Sequence, residues 1–361
     1  MGALLALLAL ISFSTLASRV GGQLRDRATI LVLPLAALGF TASPRGLGYL
    51  DASFLELLSP AIDVGAAWLA LLAGLLVPTE VRLRDVPRPL FGVLLVTLVG
   101  AIVALTVFSL PVALLVGATL ALLSTFALSG PAANTSTVMT EIVATLTMLL
   151  ALLAMSLLHE GASTIVAVLV LAGLGVSLSL AYLVGTRGAE PETQVVALVA
   201  IVLFGAGLAR TTSMPTAPLA WIIGAIIGRA GRGAQLLDAG LKDTSRPATL
   251  AVLLLSGAML DASAVNLLLG LGLATTLGLL RVALWRRGLM GTDIHAPGLS
   301  VAFAASVSAI VPHGSAFLST VCVAAAGLEI VSALHTFLAR DRRASSAATT
   351  TSEPVTEVES G

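Results

Sequence analysis

A chain of 361 residues that is 57% hydrophobic and only 11% charged, with a mean hydropathy of +1.04, has the composition of a polytopic membrane protein and of no soluble class. Its 19 basic and 19 acidic residues cancel, which excludes the basic footprint of a nucleic-acid binder. Cys322 is the single cysteine, which excludes an intrachain disulfide and a thiolate metal cluster.

In chain order, Met1–Ser18 is apolar but lacks the basic n-region of a signal peptide, and Arg19, Arg25 and Arg27 follow it, so it reads as a retained first helix. Apolar segments then fall at residues 28–43, 60–77, 89–109, 110–141, 143–158, 163–184, 194–209, 216–228, 247–261, 264–285, 297–327 and 329–339. Thirteen alternating spans that start outside put 17 of the 19 basic residues in inward loops and leave only Arg45 and Arg210 outside. The expected architecture is all-α, in the plasma membrane, with the N-terminus outside and the C-terminus cytoplasmic. Residues 344–361, rich in Ser, Thr and Glu, read as a disordered cytoplasmic tail.

Two of the spans are broken. Ser129-Gly130-Pro131-Ala132-Ala133-Asn134 interrupts 110–141, and Val311-Pro312-His313-Gly314-Ser315 interrupts 297–327. Pro lacks a backbone donor and Gly resists helix, so at membrane depth such backbone survives only where protein or a cavity satisfies it. The first break lies in the fifth helix. With 163–184 as a connector, the second lies in the fifth helix of a second set of six that enters the membrane from the other side. The expected organisation is a transmembrane domain over 1–343, with a first repeat at 1–158 and an inverted second repeat at 194–339. Two crossing interrupted helices near the midplane present helix N-termini to anions and loose carbonyls to cations, which is a carrier architecture.

Several stretches are similar to motifs of one family. Ser43-Pro44-Arg45-Gly46-Leu47-Gly48 looks like a Gly-Pro-x-Gly-Leu-Gly helix ending, and Ile62-Asp63-Val64-Gly65 like the acidic-x-Gly opening of the next helix. Ser129-Gly130-Pro131-Ala132-Ala133, with Glu141 after it, resembles Thr-Asp-Pro-Ala-Ala with a trailing glutamate. Leu255-Ser256-Gly257-Ala258-Met259-Leu260-Asp261 looks like Val-Gly-Met-x-Leu-Asp, Arg281 falls where a membrane Lys is usual, and Pro312-His313-Gly314-Ser315 resembles Pro-Arg-Gly-Glu. Together they resemble the monovalent cation:proton antiporter superfamily over residues 28–339. That resemblance implies exchange of Na+ or K+ for protons by alternating access, and a homodimer. The chain departs from the family where exchange is expected to occur. Gly130 and Ser315 replace acidic residues, and Val143–Met155, where the family keeps an Asp, holds no ionisable side chain.

The expected ion- or substrate-binding set is therefore Ser129, Gly130, Asn134 and Thr135 at the first break and His313 and Ser315 at the second, with Asp63, Glu141 and Arg281 as charge partners. His313 lies in the second break as a candidate functional group, and a lone membrane histidine is more often a satisfied polar core residue. Asp63, Glu160 and Asp261 are expected near outer helix ends, Glu329 in a short outer turn, and Arg281 within snorkelling reach of the inner surface. No enzyme, cofactor or metal motif is present: His159-Glu160 lacks the second histidine of a zinc helix, and the basic loop Gly228–Gly233 follows no strand. Three functions remain open: the antiporter, a carrier for a small anionic or organic solute, for which a core without carboxylates is the better fit, and a non-transporting relative acting as sensor or assembly partner.

Overall fold

In the computed structural model, the described residues are 32–77, 87–122, 142–151, 162–212, 214–286 and 298–331. The N-terminal segment, the first break with Ser129, Gly130, Asn134 and Thr135, the carboxylates Glu141 and Glu160, and the C-terminal tail lie outside them. The described secondary structure is helical. In order it comprises α1 (Val32–Ala42), α2 (Ala52–Leu75), α3 (Pro87–Ala104), α4 (Leu110–Ala121), α5 (Ile142–Ala151) and α6 (Ala162–Gly185). There follow α7 (Pro191–Thr211), α8 (Thr216–Ile227), α9 (Lys242–Ala258), α10 (Ala264–Arg286), α11 (Gly298–Ser308) and α12 (Gly314–Val331).

Helix length divides these elements into two kinds. At 1.5 Å per residue the 24 residues of α2 reach about 36 Å, enough to cross a hydrocarbon core of about 30 Å. Four helices among the described residues, α2, α7, α10 and α12, are long and apolar enough for this. The 12 residues of α4, between Ser109 and the non-helical Leu122, reach only about half that depth. Its inner end therefore lies within the bundle, where other elements must satisfy it. At α1 the Glu329 carboxylate accepts the N–H of Val32 at 2.8 Å. This overturns the expectation of a short outer turn at Glu329, which is buried near the end of α12.

One group of helices, α1, α2, α7, α8 and α9, packs together. Two crossings hold it, and they are built alike. Gly39 of α1 rests on the Leu254 carbonyl and Gly257 of α9 on that of Ala36. Gly74 of α2 rests on the Trp221 carbonyl and Gly224 of α8 on that of Leu71. In every case the oxygen belongs to the residue three before the partner glycine, and a Cβ at the glycine would collide with it. Each pair crosses near the C-terminal ends of both helices, but α1–α9 does so at one end of the bundle and α2–α8 at the other. Two inverted copies of one unit produce this pattern.

The end marked by the α1–α9 crossing carries Arg45 and Arg210, the two arginines that the sequence sets apart. The other carries Arg187, Arg229 and Arg232, with Arg232 donating to the Thr186 hydroxyl at 2.7 Å. A second group comprises α3, α4 and α10; α12 packs on α10 and also on α1 and α9, and α11 lies in the seam, touching α2, α8 and α9 on one side and α4 on the other.

The path from α11 to α12 corrects the expected second break. Val323 and Val331 of α12 pack on Gly270 and Gly278 of α10, so these helices run the same way, from the Arg45 end inward. In contrast, α11 begins deep, beside the end of α4, and climbs. Residues 309–313 are thus a reversal between two helices, with Gly314 pressed on the Ser308 carbonyl, rather than an interruption within one. Pro and Gly serve a turn as readily as a break, because both need a missing donor or an unusual φ. His313 fills that need in the turn with φ +56°, the one non-glycine at positive φ among the described residues.

Candidate functional site

Where α4 ends, the chain leaves helical geometry at Leu122 (φ −59°, ψ 107°), and the last carbonyls of the helix lose their internal donors. Two side chains from later in the chain supply replacements. Arg281 of α10 donates through Nη2 to the Leu120 oxygen, and Ser300, the third residue of α11, donates through Oγ to the Leu122 oxygen at 2.9 Å. The carbonyl end of the half-length α4 therefore meets the first described turn of α11 here. The crossing expected from the sequence is at this junction, with Pro297-Gly298 immediately ahead of Ser300 in the sequence as its local signal.

Arg281 is buried and does not snorkel as expected. A guanidinium at this depth is stabilised by the negative end of the α4 dipole and by the carbonyl it caps. Among the described residues its Nε has no hydrogen-bond partner.

A second polar feature opens from the Arg45 end, in the seam. It is a cavity of about 160 Å³ whose walls include Ser59 and Asp63 of α2, Met259 after α9, Ser308 at the end of α11 and Ser315 in α12. Asp63 was expected near a helix end because the apolar segment begins at residue 60. In fact α2 begins at Ala52 and carries Pro60 inside it, since Phe54, Leu55 and Leu58 pack inward and keep the earlier turns in place. Asp63 thus sits half-way along the helix.

The Asp63 carboxylate pairs with the Arg210 guanidinium at 3.2 Å through a single nitrogen, and that nitrogen also reaches the Ser59 hydroxyl at 3.4 Å. The backbone oxygen of Asp63 accepts from the Thr216 hydroxyl at 3.1 Å. Since Thr216 has spent its proton there, the Ser306 hydroxyl, 3.1 Å away, donates to Thr216 and accepts the Ala217 N–H at 3.0 Å. This chain ties α11 to the start of α8 and satisfies the Ala217 N–H in the first turn of that helix.

The structure brings Asp63 and Ser315 together in one cavity and leaves His313 and Arg281 elsewhere, while Ser129, Gly130, Asn134, Thr135 and Glu141 lie outside the described residues. His313 lies exposed in the turn, two residues from Ser315, and Arg281 belongs to the junction. Asp261 is at the expected helix end, paired with Arg45 at 3.1 Å, with both side chains largely open to solvent (37% and 56%). Sequence reasoning missed Ser59, Ser300, Ser306 and the role of Arg210. Of these only Arg210 had a signal, as a charge on the unexpected side.

No protein-family model matches the chain, and no curated protein matches it. Among solved structures it is similar to the sodium proton antiporter MjNhaP1 from Methanocaldococcus jannaschii at pH 8, with a TM-score of 0.64 and 16% sequence identity over 92% of this chain and 99% of that one. The fold is that of a sodium proton antiporter. In this antiporter-like fold, the junction of α4 and α11 and the seam cavity are two polar sites among the described residues, each built from more than one helix.

Proposed function

We propose that the chain is a secondary active transporter of the plasma membrane that exchanges a monovalent cation, Na+ or K+, for protons by alternating access. The N-terminus is outside, the C-terminus is cytoplasmic, the repeats are 1–158 and 194–339 joined by 163–184, and two copies form a homodimer. The observation that carries this reading is the seam. A carboxylate half-way along a spanning helix faces a cavity walled by α2, α11 and α12, beside a hydroxyl hydrogen bond that ties α11 to α8, in a chain with an antiporter's fold. Exchange needs one group that holds either a cation or a proton and never both, and a carboxylate is such a group. Rocking one helix group against the other exposes that group to each side in turn.

A second reading, a carrier for a small anionic solute, is favoured by the junction. Arg281 presents positive charge there, and the ligand it suits is an anion.

One experiment separates them. Purified protein in proteoliposomes, with a pH-sensitive dye inside and an imposed pH gradient, receives Na+, K+ or Li+. Dissipation of the gradient on cation addition is expected. Absence of dissipation with every cation overturns the antiporter, anion uptake without a cation requirement establishes the second reading, and silence in both leaves a non-transporting relative.

A further inference from the structure

We infer that the seam cavity is a monovalent-cation site in which Asp63 is the binding carboxylate and Arg210, beside the cavity, is a tethered cation that pairs with that carboxylate when no ion is bound. This deepens the antiport reading and rests on it for the transport step alone; the binding step stands separately.

The argument starts from charge. Among the described residues lining the cavity, Asp63 is the one titratable group. The facing side chains from α11 and α12 are neutral, α9 contributes Met259 through the turn after it, and Arg210 of α7 is the one charged group bonded to the carboxylate. A single carboxylate balanced by a single guanidinium accepts a monovalent ion in exchange one for one. A divalent ion would leave an excess positive charge in a site of low dielectric.

Oxygen supply is the second point. Ser59, Ser308 and Ser315 place hydroxyls around the same space as the two carboxylate oxygens. At about 30 Å³ per water, 160 Å³ has room for roughly five water-sized groups, enough for a partly hydrated alkali ion.

The third point is that Arg210 is replaceable. It meets Asp63 end-on through one nitrogen, with 47% of its side chain exposed, so release moves the guanidinium a short way into solvent without stranding a buried charge. A proton on Asp63 releases Arg210 in the same manner. The proton-bound and cation-bound states therefore carry the same net charge, which makes them direct competitors.

The test uses full-length protein in detergent and in proteoliposomes, as wild type, Asp63→Asn, Asp63→Glu, Arg210→Gln and Arg210→Lys. In detergent, NaCl or KCl is expected to raise the melting temperature above that in choline chloride of equal ionic strength, more so for Arg210→Gln, and not for Asp63→Asn. Asp63→Glu, which keeps the charge, is expected to retain the effect. In proteoliposomes, Arg210→Gln is expected to lower the apparent KM for the cation by up to about fivefold, the worth of a part-exposed ion pair, while Arg210→Lys stays near wild type. A merely structural ion pair predicts the opposite, a KM unchanged or raised. An equal cation effect in Asp63→Asn and wild type, or none in any variant, overturns the site. Stabilisation that follows Asp63 without any exchange in vesicles keeps the site and overturns the antiport reading.

Discussion

The junction of α4 and α11 and the edge of the seam cavity each hold an arginine, and they treat them in opposite ways. At the junction Arg281 is buried and donates to the Leu120 carbonyl, with Ser300 serving that of Leu122. Beside the cavity Arg210 is half exposed and bonded through one nitrogen to a carboxylate. The first arrangement uses charge to close off the end of α4 and has no easily reached alternative. The second uses charge in a contact that solvent or another ion readily replaces. A cation in a membrane protein is thus either part of the frame or part of the machinery, and burial together with the identity of its acceptor tells which.

The comparison breaks most readily at Arg281. Arg281→Leu removes a charged hydrogen bond and leaves the Leu120 carbonyl without it, a loss of about 2–3 kcal/mol, and Arg281→Lys should recover part of it. Thermal unfolding in detergent checks this, and a larger loss for Asp63→Asn than for Arg281→Leu would reverse the assignment of frame and machinery. Ser300→Ala at the same junction should cost about 1 kcal/mol by the same measurement, with cation dependence unaltered. His313→Gly relieves a left-handed backbone conformation and should stabilise by up to about 1 kcal/mol. A transport defect in that variant without any loss of stability would instead make the imidazole functional. The smallest effect belongs to Asp261→Asn, which breaks a solvent-exposed pair with Arg45 and should cost well under about 1 kcal/mol, a difference that salt erases.

Much of this frame is legible in the sequence, because charge sorting and apolar length are both statements about crossing a membrane. Arg45 and Arg210 separate from Arg187, Arg229 and Arg232 on the page as they do in space. Depth is less legible. The apolar segment that holds Asp63 begins at residue 60, but the turns packed by Phe54, Leu55 and Leu58 extend the helix ahead of it, moving Asp63 from a helix end to its middle. Pro312 and Gly314 mark an irregularity but not its kind. Residues 298–331 contain enough chain for two helices of unequal length, and the packing of Val323 and Val331 on α10 selects a reversal. The carboxylates that a familiar antiporter pattern calls for are missing from Val143–Met155, so attention at the level of sequence fell on His313. The partnership of Asp63 with Ser308 and Ser315 joins residues some 250 positions apart and has no local signature.

The doubled glycine crossing has a consequence for how this chain is able to change over generations. At Gly39, Gly74, Gly224 and Gly257 a main-chain oxygen stands where a side chain would begin, so no neighbouring rotamer change makes room for even a methyl group. Substitution there demands that whole helices move apart, and because the two crossings share helices of one group, a shift at one end is felt at the other. These four positions are therefore closed to stepwise drift, whereas the hydroxyl bridges along the seam, Ser306 to Thr216 among them, are each one substitution away from a different arrangement. Diversity of solute in proteins built on this plan is expected to accumulate along the seam and to leave the four glycines in place.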